Sequence, residues 1–537
     1  AICGKSPATG LWAESNIGGY WGYVLRKTGF DGIWITGKAE SPVFIDIDDE
    51  EVKILDASHL WGLDTYTVQD KIKSELGRRG VRVAGIGVGG ERLIPFSSIL
   101  CDHGRVAGRT GLGAVMGSKN LKAMAVSGTG KIPIAMPKVY AMVRGEMNRG
   151  LRGDPLSRTF RELGTAGAGD YMDYLGSMPK MGYSRGYLEG MDNLSGSVLS
   201  EKYLDSISAC HGCVIACGRV FKLSIDSKKQ KGPEYETMVG FGPNLGITDP
   251  IFITKMGEIC DLAGIDTISA SNTISLAFRL FELNILSEKD VEGLELTWGN
   301  QDAVEVLLRK MIEREGIGYH LSKGARHFAG HFGVEELAVQ VNGLEIAYHD
   351  PRALSGMALV YATSPRGGCH NQSDYYFVDV GGAEEVLGIK VFSRQAGPEK
   401  AANVVLHQNW RTVFNALIVC IFGSVSPRKL VTLINAACDL DWEIDDLMLA
   451  GDRAWNLKRV INNRLGLRRE NDTLPKPFLE PLPDGGAAGY IIEFESMLKA
   501  YYRSRDWDWE TGFPKEKKLE ELGLKFVIAD LNQLKQE

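Results

Sequence analysis

The stretch FDGIWITGKAESPVFIDIDDEEVKILDASHL, residues 30–60, decides how the first part of the chain is interpreted. Short runs of branched and aromatic residues alternate in it with Gly, Pro and acidic residues, a pattern typical of β-strands joined by tight turns. Two later segments, VRVAGIGVGG at 81–90 and KAMAVSGTG at 122–130, have the same character and are rich in glycine. The sequence therefore predicts a β-rich N-terminal domain over residues 1–133.

The sequence changes character after KIPIAMPK, residues 131–138. It then contains longer segments with helical periodicity, most of them bounded by Gly, Pro or Asp: KVYAMVRGEMNRGL (138–151), DAVEVLLRKMIEREG (302–316) and IDDLMLAGDRAWNLKRVINNRLGL (444–467). A weaker boundary falls near residue 345, where loop-rich sequence with many small residues begins. We therefore predict an α+β protein with a β-rich domain, 1–133, followed by two mainly α-helical domains, 134–345 and 346–537.

The composition indicates a globular protein with a small-molecule substrate. Of the 537 residues 44% are hydrophobic and 24% charged, and the net charge of -7 is mild and dispersed, so neither nucleic acid nor a membrane is an expected partner. No apolar run approaches the roughly 20 residues that a membrane-spanning helix requires. The nine cysteines are unevenly spaced, which favours reduced thiols and a cytoplasmic location. The chain opens with AICGKSPATG rather than methionine, so we expect its natural N-terminus further upstream.

Three of the nine cysteines, Cys210, Cys213 and Cys217, lie within eight residues in SACHGCVIACGRV (208–220). The spacing CxxCxxxC allows three thiolates to bind one compact inorganic cluster, as the ligands of an iron–sulfur cluster must. Two alternatives are a zinc site, which would need a further CxxC or histidine pair, and simple packing on one helix face. A four-iron cluster usually takes a fourth thiolate. The candidates are Cys260, Cys369, Cys420 and Cys438, and spacing alone does not choose among them.

A second motif is the glycine-rich run HGRVAGRTGLGAVMGSKNLKAMAV, residues 103–126. Its glycines allow backbone N–H groups to approach a phosphate or a flat ring, and its Arg and Lys residues supply positive charge. The run lacks the GxGxxG order of a dinucleotide-binding loop and the GxxxxGK[ST] order of a Walker loop. A purely structural glycine-rich turn is the alternative.

Together with these two motifs, five further segments give the chain a specific resemblance. It resembles the catalytic subunit of the tungsten-containing aldehyde ferredoxin oxidoreductase family along essentially its whole length. The matching segments, in the family's order, are ESNIGGYWG (14–22), GRTGLGAVMGSKNLKA (108–123), CxxCxxxC (210–217), GPEYET (232–237), DLAGID (261–266), DPRALSGMALVYATSPRGGCH (350–370) and RENDTLPKPF (469–478).

The resemblance implies a set of cofactors and partners. It implies tungsten, or molybdenum, held by the dithiolene sulfurs of two pterin molecules, and a nearby 4Fe-4S cluster that carries electrons to ferredoxin or a partner subunit. A magnesium ion bridging the pterin phosphates is a further expected component, and a homodimer is favoured by analogy. Members of the family also have several dozen residues ahead of the point where this sequence begins.

The resemblance also assigns binding residues. The pterin contacts would fall on a motif near the N-terminus, on the glycine-rich run and on a DxxGL(D/C) element used twice: Asn16, Gly18, Gly19, Arg109, Gly111, Asp261, Gly264, Asp266 and Asn415. Buried carboxylates suit a pterin because its ring presents several N–H donors. The second copy, NALIVC (415–420), places Cys420 at the fourth cluster ligand but has Asn415 for the expected Asp and Ile418 for the expected Gly. We therefore expect the second pterin to be held differently.

Oxidation of an aldehyde also requires a group that handles protons beside the metal. By resemblance these groups are Glu236 in PEYET and His370 in GGCH, with Glu234 as the weaker alternative. The adjacent pair Cys369 and His370 is not expected to form a nucleophilic dyad, because neighbours in an extended segment point apart.

Three functions are therefore open. The first is an aldehyde-oxidising tungsten enzyme, and the second is a low-potential reductase of aromatic thioesters or other carboxyl compounds. Thr267, where the thioester branch carries cysteine after the equivalent of Asp266, argues against that branch. The third is an electron-transfer subunit that kept the cluster and lost the active site, and retention of Glu236 and His370 argues against it.

Overall fold

A six-stranded mixed sheet forms the centre of the N-terminal region in the computed structural model, which describes residues 1–534. The strands of this region are β1 Ile2–Lys5, β2 Trp12–Ser15, β3 Val43–Asp48, β4 Glu51–Asp56, β5 Arg82–Gly85, β6 Ile99–Cys101, β7 Arg105–Ala107 and β8 Leu121–Ser127. Its helices are α1 Trp21–Lys27, α2 Thr65–Leu76, α3 Val88–Glu91 and α4 Leu112–Ser118.

The sheet has the order β4-β3-β8-β5-β6-β7, in which only the β3–β8 pair is parallel. Strand β8 is buried along its whole length, as expected for a central strand that is covered on both faces, and its Lys122 pairs with Glu91. Side chains alternate between the two faces of the sheet. Ala123 and Ala125 pack toward α2, whereas Met124 and Val126 pack on the side of α1 and α4.

The strand prediction for residues 30–60 is correct for its second half and wrong for its first. Residues 30–42 contain no strand, and strand β3 begins only at Val43. Gly32 and Gly37 interrupt the run, and Trp34 is 91% exposed, so the segment lacks the continuous buried face of a strand although Phe30 and Ile35 pack against the core.

The middle of the chain is mainly helical and carries a small three-stranded sheet. Its helices are α5 Pro137–Gly153, α6 Pro155–Leu163, α7 Gly169–Tyr174, α8 Gly196–Tyr203, α9 Tyr235–Phe241, α10 Pro250–Ala263, α11 Thr267–Glu282, α12 Gln301–Glu313, α13 Ile317–Leu321 and α14 Ala325–His331. Its strands are β9 Leu204–Ser208, β10 Gly218–Phe221, β11 Gln230–Lys231, β12 Gln340–Val341 and β13 Leu344–Glu345.

The last part of the chain is helical throughout. Its helices are α15 Gly356–Thr363, α16 Tyr376–Asp379, α17 Ala401–Leu417, α18 Pro427–Cys438, α19 Ile444–Arg464, α20 Lys476–Leu479, α21 Phe494–Arg505, α22 Glu516–Glu521 and α23 Ile528–Leu534. Helix α15 is apolar on every side and is buried along its whole length, which places it at the centre of the helical core.

These elements confirm the predicted α+β class, with the main sheet in the N-terminal region and helices after it. The main sheet ends at Ser127 and α5 begins at Pro137, on either side of the predicted boundary at 133. One hydrophobic core runs across residue 345, so the predicted division between two helical domains stays a prediction. Within residues 1–534, no helix combines the length and the apolar character needed to cross a membrane.

Candidate active site

A cavity of about 1120 Å³ lies where the N-terminal, middle and C-terminal parts of the chain meet. The resemblance assigns fifteen residues to pterin contact, cluster ligation or proton handling. Twelve of these fifteen residues line the cavity: Asn16, Gly18, Arg109, Cys210, Cys213, Cys217, Glu236, Asp261, Asp266, His370, Asn415 and Cys420. These residues span more than 400 positions of sequence, so only the tertiary fold brings them together.

The CxxCxxxC motif forms a loop between the antiparallel strands β9 and β10. The Cys213 N–H donates to the Cys210 carbonyl at 3.1 Å, and the backbone at Gly212 and Ala216 has positive φ. Because the three cysteines are not on a helix, packing on one helix face does not account for their spacing. Gly18 permits the loop's close approach, since a Cβ there would lie 2.7 Å from Cys210 Sγ.

Among the four candidates for a fourth thiol, Cys420 shares the cavity with the motif cysteines. It follows the end of α17 with its side chain exposed, and desolvation by the surrounding protein raises the pKa of its thiol to about 11, with further contributions from Cys213 and Cys210. Cys260 and Cys369 are buried away from the cavity lining, and Cys438 ends α18 at the surface. Within residues 1–534, no three or more His, Cys, Asp or Glu side chains converge tightly enough to hold one metal ion. The four thiols of Cys210, Cys213, Cys217 and Cys420 nevertheless line one cavity.

Three of the predicted binding glycines lie outside the cavity lining, and each is required by its backbone. Gly111 and Gly264 have φ of +78° and +71°, and a Cβ on Gly111 would lie 1.8 Å from the Pro95 carbonyl oxygen. Gly19, at φ +91°, would meet Asp102 Oδ2 at 2.4 Å. Their role in this fold is to let the chain turn beneath the cavity wall.

Arg109 connects the glycine-rich run to the rest of the cavity wall. Its guanidinium pairs with Asp266 Oδ2 at 3.1 Å and donates to the carbonyl oxygens of Glu345 and Gly368, the latter at 2.8 Å. The nearby carboxylates keep the pKa of Arg109 raised despite burial, which acts in the opposite direction. Asp266 also caps α11 by accepting from the Ser269 N–H at 2.9 Å. Both of these bonds use Asp266 Oδ2, and Arg109 Nε has no hydrogen-bond partner in the described chain.

The other carboxylate of the DLAGID segment is held at one oxygen. Asp261 Oδ2 accepts from Tyr66 Oη and from Lys231 Nζ, each at 3.2 Å. The αL conformation of Gly264 ends α10 between the two aspartates, and this turn lets both Asp261 and Asp266 reach the cavity.

Glu236 lies between two histidines on the cavity wall. Its Oε2 accepts from the Tyr348 N–H at 2.9 Å, while Oε1 lies 3.5 Å from His349 Nε2 and 3.6 Å from His370 Nε2. Burial raises the pKa of Glu236 to about 7. Burial lowers the pKa of His349 to about 3 and that of His370 well below its ordinary value, so both imidazoles are neutral at pH 7.

His349 is a site residue that the sequence prediction missed. It stacks between Tyr376, with ring centroids 4.0 Å apart, and Tyr235, at 4.9 Å. A signal was available, because His349 immediately precedes the DPRALSG segment that was recognised as a motif. A lone histidine is more often structural, and only its distance to Glu236 reveals its place in the site.

Cys369 does not face its neighbour His370. Its Sγ accepts from Arg366 at 3.0 Å through Nε and at 2.7 Å through Nη2, and from the Asn371 N–H at 3.3 Å. The thiol is therefore turned toward a guanidinium, in accord with the expectation that it forms no nucleophilic dyad with His370.

The second copy of the DxxGL element, NALIVC at 415–420, contacts the N-terminal region of the chain. Asn16 Nδ2 donates to Asn415 Oδ1 at 3.1 Å, so the two predicted contacts bind each other. Ile418 caps α17 with φ +55°, a conformation that a β-branched residue adopts only with strain. The glycine expected at this position would adopt it freely.

This strain predicts an unusual order of stability. Ile418→Gly is expected to be more stable than Ile418→Ala by about 1 kcal/mol, because both remove the side chain and only glycine relieves the left-handed conformation. Urea unfolding of the two variants measures the difference. Equal stabilities, or a more stable alanine variant, would contradict the strain at this position.

Comparison with known proteins identifies the family of the chain. Residues 1–128 match the family profile "Aldehyde ferredoxin oxidoreductase, N-terminal domain", and residues 143–524 match "Aldehyde ferredoxin oxidoreductase, domains 2 & 3". The chain is thus an oxidoreductase by descent. It belongs to the aldehyde ferredoxin oxidoreductase family, as the sequence motifs predicted.

Individual relatives include enzymes with different substrates. The tungsten-containing aldehyde ferredoxin oxidoreductases of Pyrococcus furiosus and Thermococcus kodakarensis are each 37% identical over 528 residues, which cover 97% of this chain and 86% of theirs. The "aliphatic sulfonate oxidoreductase, WOR-like subunit" of Pyrococcus furiosus is 29% identical over 571 residues, covering 100% of this chain and 87% of its own.

A solved structure, the active site complex BamBC of benzoyl coenzyme A reductase with 1,5-dienoyl-CoA, superimposes with a TM-score of 0.84. It covers 99% of this chain and 87% of its own, and at 22% identity it supports the fold alone.

Proposed function

We propose that this protein oxidises aldehydes to carboxylic acids at a tungsten bis-pterin centre and passes the electrons through a 4Fe-4S cluster to ferredoxin or a partner subunit. The observation that carries the proposal is Glu236, a carboxyl group with a pKa of about 7, set between two neutral histidines in the same cavity as four cysteine thiols. A proton-handling group and electron-carrying ligands in one cavity are what a two-electron oxidation of a carbonyl compound requires.

The cysteine side of the cavity fits an iron–sulfur cluster. Cys210, Cys213, Cys217 and Cys420 would supply its four thiolates. Arg105 lines the cavity beside them and donates through Nη2 to Ser208 Oγ at 3.1 Å. A cation held at this place would stabilise the charge of bound thiolates.

The opposite side fits a polar, multidentate cofactor. Several buried polar atoms there have no hydrogen-bond partner among residues 1–534: Arg109 Nε, Glu236 Oε1, His349 Nδ1, His370 Nδ1 and Gln372 Oε1. Such atoms are costly unless a bound group satisfies them. Asp261, Asp266 and Asn16 would hold the pterins, and Asn415 would contribute through its amide. When bound, a tungsten bis-pterin supplies a two-electron acceptor and polarises the carbonyl oxygen.

The residues of the chain handle the protons. Oxidation of an aldehyde with water gives a carboxylic acid, two electrons and two protons. Glu236 in its ionised form would take a proton from the attacking water at Oε1, while the Tyr348 N–H holds Oε2 in place. His370 and His349, both neutral, would orient the carbonyl compound and the water without competing for that proton. A bridging magnesium ion and a homodimer remain predictions.

A variant tests the contribution of His349. His349→Phe keeps the aromatic stack with Tyr235 and Tyr376 but removes Nε2, the imidazole nitrogen that lies 3.5 Å from Glu236 Oε1. Loss of this polar neighbour makes the surroundings of the buried carboxylate more apolar and raises its pKa further, so the limb of the kcat profile near pH 7 is expected to move to higher pH. At pH 7 kcat is expected to fall by roughly tenfold. The pH profile of kcat provides the measurement, and an unchanged limb would contradict the role of His349.

The proposed function is tested on anaerobically purified protein. Elemental analysis should find tungsten or molybdenum together with roughly four irons per chain. An aldehyde panel with benzyl viologen as acceptor should show turnover, and an aromatic thioester should not be reduced. Thioester reduction without aldehyde oxidation would favour the reductase, and iron without a group 6 metal would favour an electron-transfer subunit.

A further inference from the structure

A surface of unusual charge lies next to the cysteine loop, formed by α5 and α6. Residues 137–163 contain six basic side chains and three acidic ones, a net charge of +3 in a chain whose net charge is -7. The basic residues are Lys138, Arg144, Arg149, Arg152, Arg158 and Arg161. All six are exposed, and none forms an ion pair with a carboxylate of the described chain. We call this surface the α5–α6 basic face.

Helix α6, which carries part of the α5–α6 basic face, directly contacts the two segments that carry the thiols. Arg161 Nη1 donates to the carbonyl of Val214, the residue after Cys213, at 3.4 Å. The ring of Phe160 packs 4.6 Å from that of Phe422, two residues after Cys420. Leu151 and Asn148 of α5 line the cavity themselves.

Helix α5 presents basic and apolar side chains together. Lys138, Met142, Arg149 and Arg152 follow helical spacing along one face, and Met142 is 58% exposed. Asn148 and Leu151, which reach the cavity, lie on the adjoining face of the same helix. An apolar centre among exposed charges is typical of weak, transient protein complexes.

We infer that the α5–α6 basic face is the docking surface for an acidic electron-carrier protein. This inference rests on the proposed function, because it requires a cluster among the four thiols. Unpaired positive charge on an otherwise negative protein attracts an anionic partner over a Debye length, and it increases the rate of encounter more than the final affinity. The contacts of Arg161 and Phe160 place the α5–α6 basic face beside the cysteine side of the cavity, the only part of the described chain where four cysteines lie together.

Charge reversal provides the test. In the loaded holoenzyme, R149E/R152E/R158E is expected to raise KM for a purified acidic 4Fe-4S ferredoxin by about tenfold or more, with a similar rise in the Kd measured by biolayer interferometry. Aldehyde oxidation with benzyl viologen, a small cation that needs no docking surface, should stay within about twofold of wild type. The neutral variant R149Q/R152Q/R158Q should show a smaller loss in the same direction. Raising the salt concentration should abolish the difference between wild type and variant.

The matched control is K515E/K517E/K525E, which changes the net charge equally on a segment that does not line the cavity. It should bind ferredoxin as wild type does. The inference is overturned by an unchanged Kd and KM in the charge-reversed variant, by an equal loss in the control, or by a wild-type protein that binds RNA or anionic vesicles and not ferredoxin. Failure of the proposed function is seen separately, as absence of the viologen-linked activity with ferredoxin binding intact.

Discussion

Replacing Glu236 by Gln is expected to lower kcat for aldehyde oxidation by about 10²- to 10⁴-fold, the usual contribution of a positioned general base. Glutamine has nearly the same shape and can still accept from the Tyr348 N–H, so the cavity should keep its form. Metal and iron contents should therefore equal those of the wild type. Loss of turnover with intact cofactors assigns the effect to proton handling.

The pH profile distinguishes this role from a structural one. The wild-type rate should rise as pH increases through about 7, because burial raises the pKa of Glu236 to about 7 and only the ionised form accepts a proton. The variant should lack this limb. Glu234→Gln is the matched control, since Glu234 also lines the cavity but accepts from Thr165 Oγ1 at 2.6 Å. If Glu234→Gln loses the limb and Glu236→Gln keeps it, the two assignments must be exchanged.

Cys420→Ala is expected to lower the iron content from roughly four to three or fewer per chain. Viologen-linked activity should fall by more than about tenfold, because electrons then lack their carrier. The reason is that Cys420 shares the cavity with Cys210, Cys213 and Cys217, and the other candidates for a fourth thiol do not. Iron analysis and electron paramagnetic resonance of the reduced protein measure the effect.

Cys438→Ser is the matched control for Cys420→Ala. Cys438 lies at the exposed end of α18, in the same part of the chain. Its replacement should leave iron, spectrum and activity unchanged. An iron loss in this variant with none in Cys420→Ala would show that a different thiol completes the cluster.

Much of the fold could be predicted because its signals are local. The helical periodicity of 138–151, 302–316 and 444–467 corresponds to α5, α12 and α19. The failure at residues 30–42 has a physical reason. Ile33, Trp34 and Ile35 resemble a strand in composition, but whether a segment joins a sheet depends on a partner strand and a packed face, which are properties of the tertiary structure.

The sequence predicted which residues line the cavity better than it predicted the contacts between them. Motifs selected Glu236, His370 and the cysteine loop, and the structure brings them to one cavity. His349 and the Tyr348 N–H escaped prediction because they act through distances to Glu236 that no spacing encodes. Likewise, nothing in DLAGID or GRTGLG indicates the left-handed backbone that Gly264 and Gly111 adopt, and their contact with a cofactor stays a prediction.

The placement of the four thiols also constrains how the protein matures. Cys217 precedes Cys420 by 203 positions, and the cavity wall between them includes His349 and His370. All four thiols are therefore available to the proposed cluster only after residue 420 has been synthesised. Protein prepared without the cluster should be less stable and more sensitive to proteases, because a ligand bound only by the native state stabilises that state.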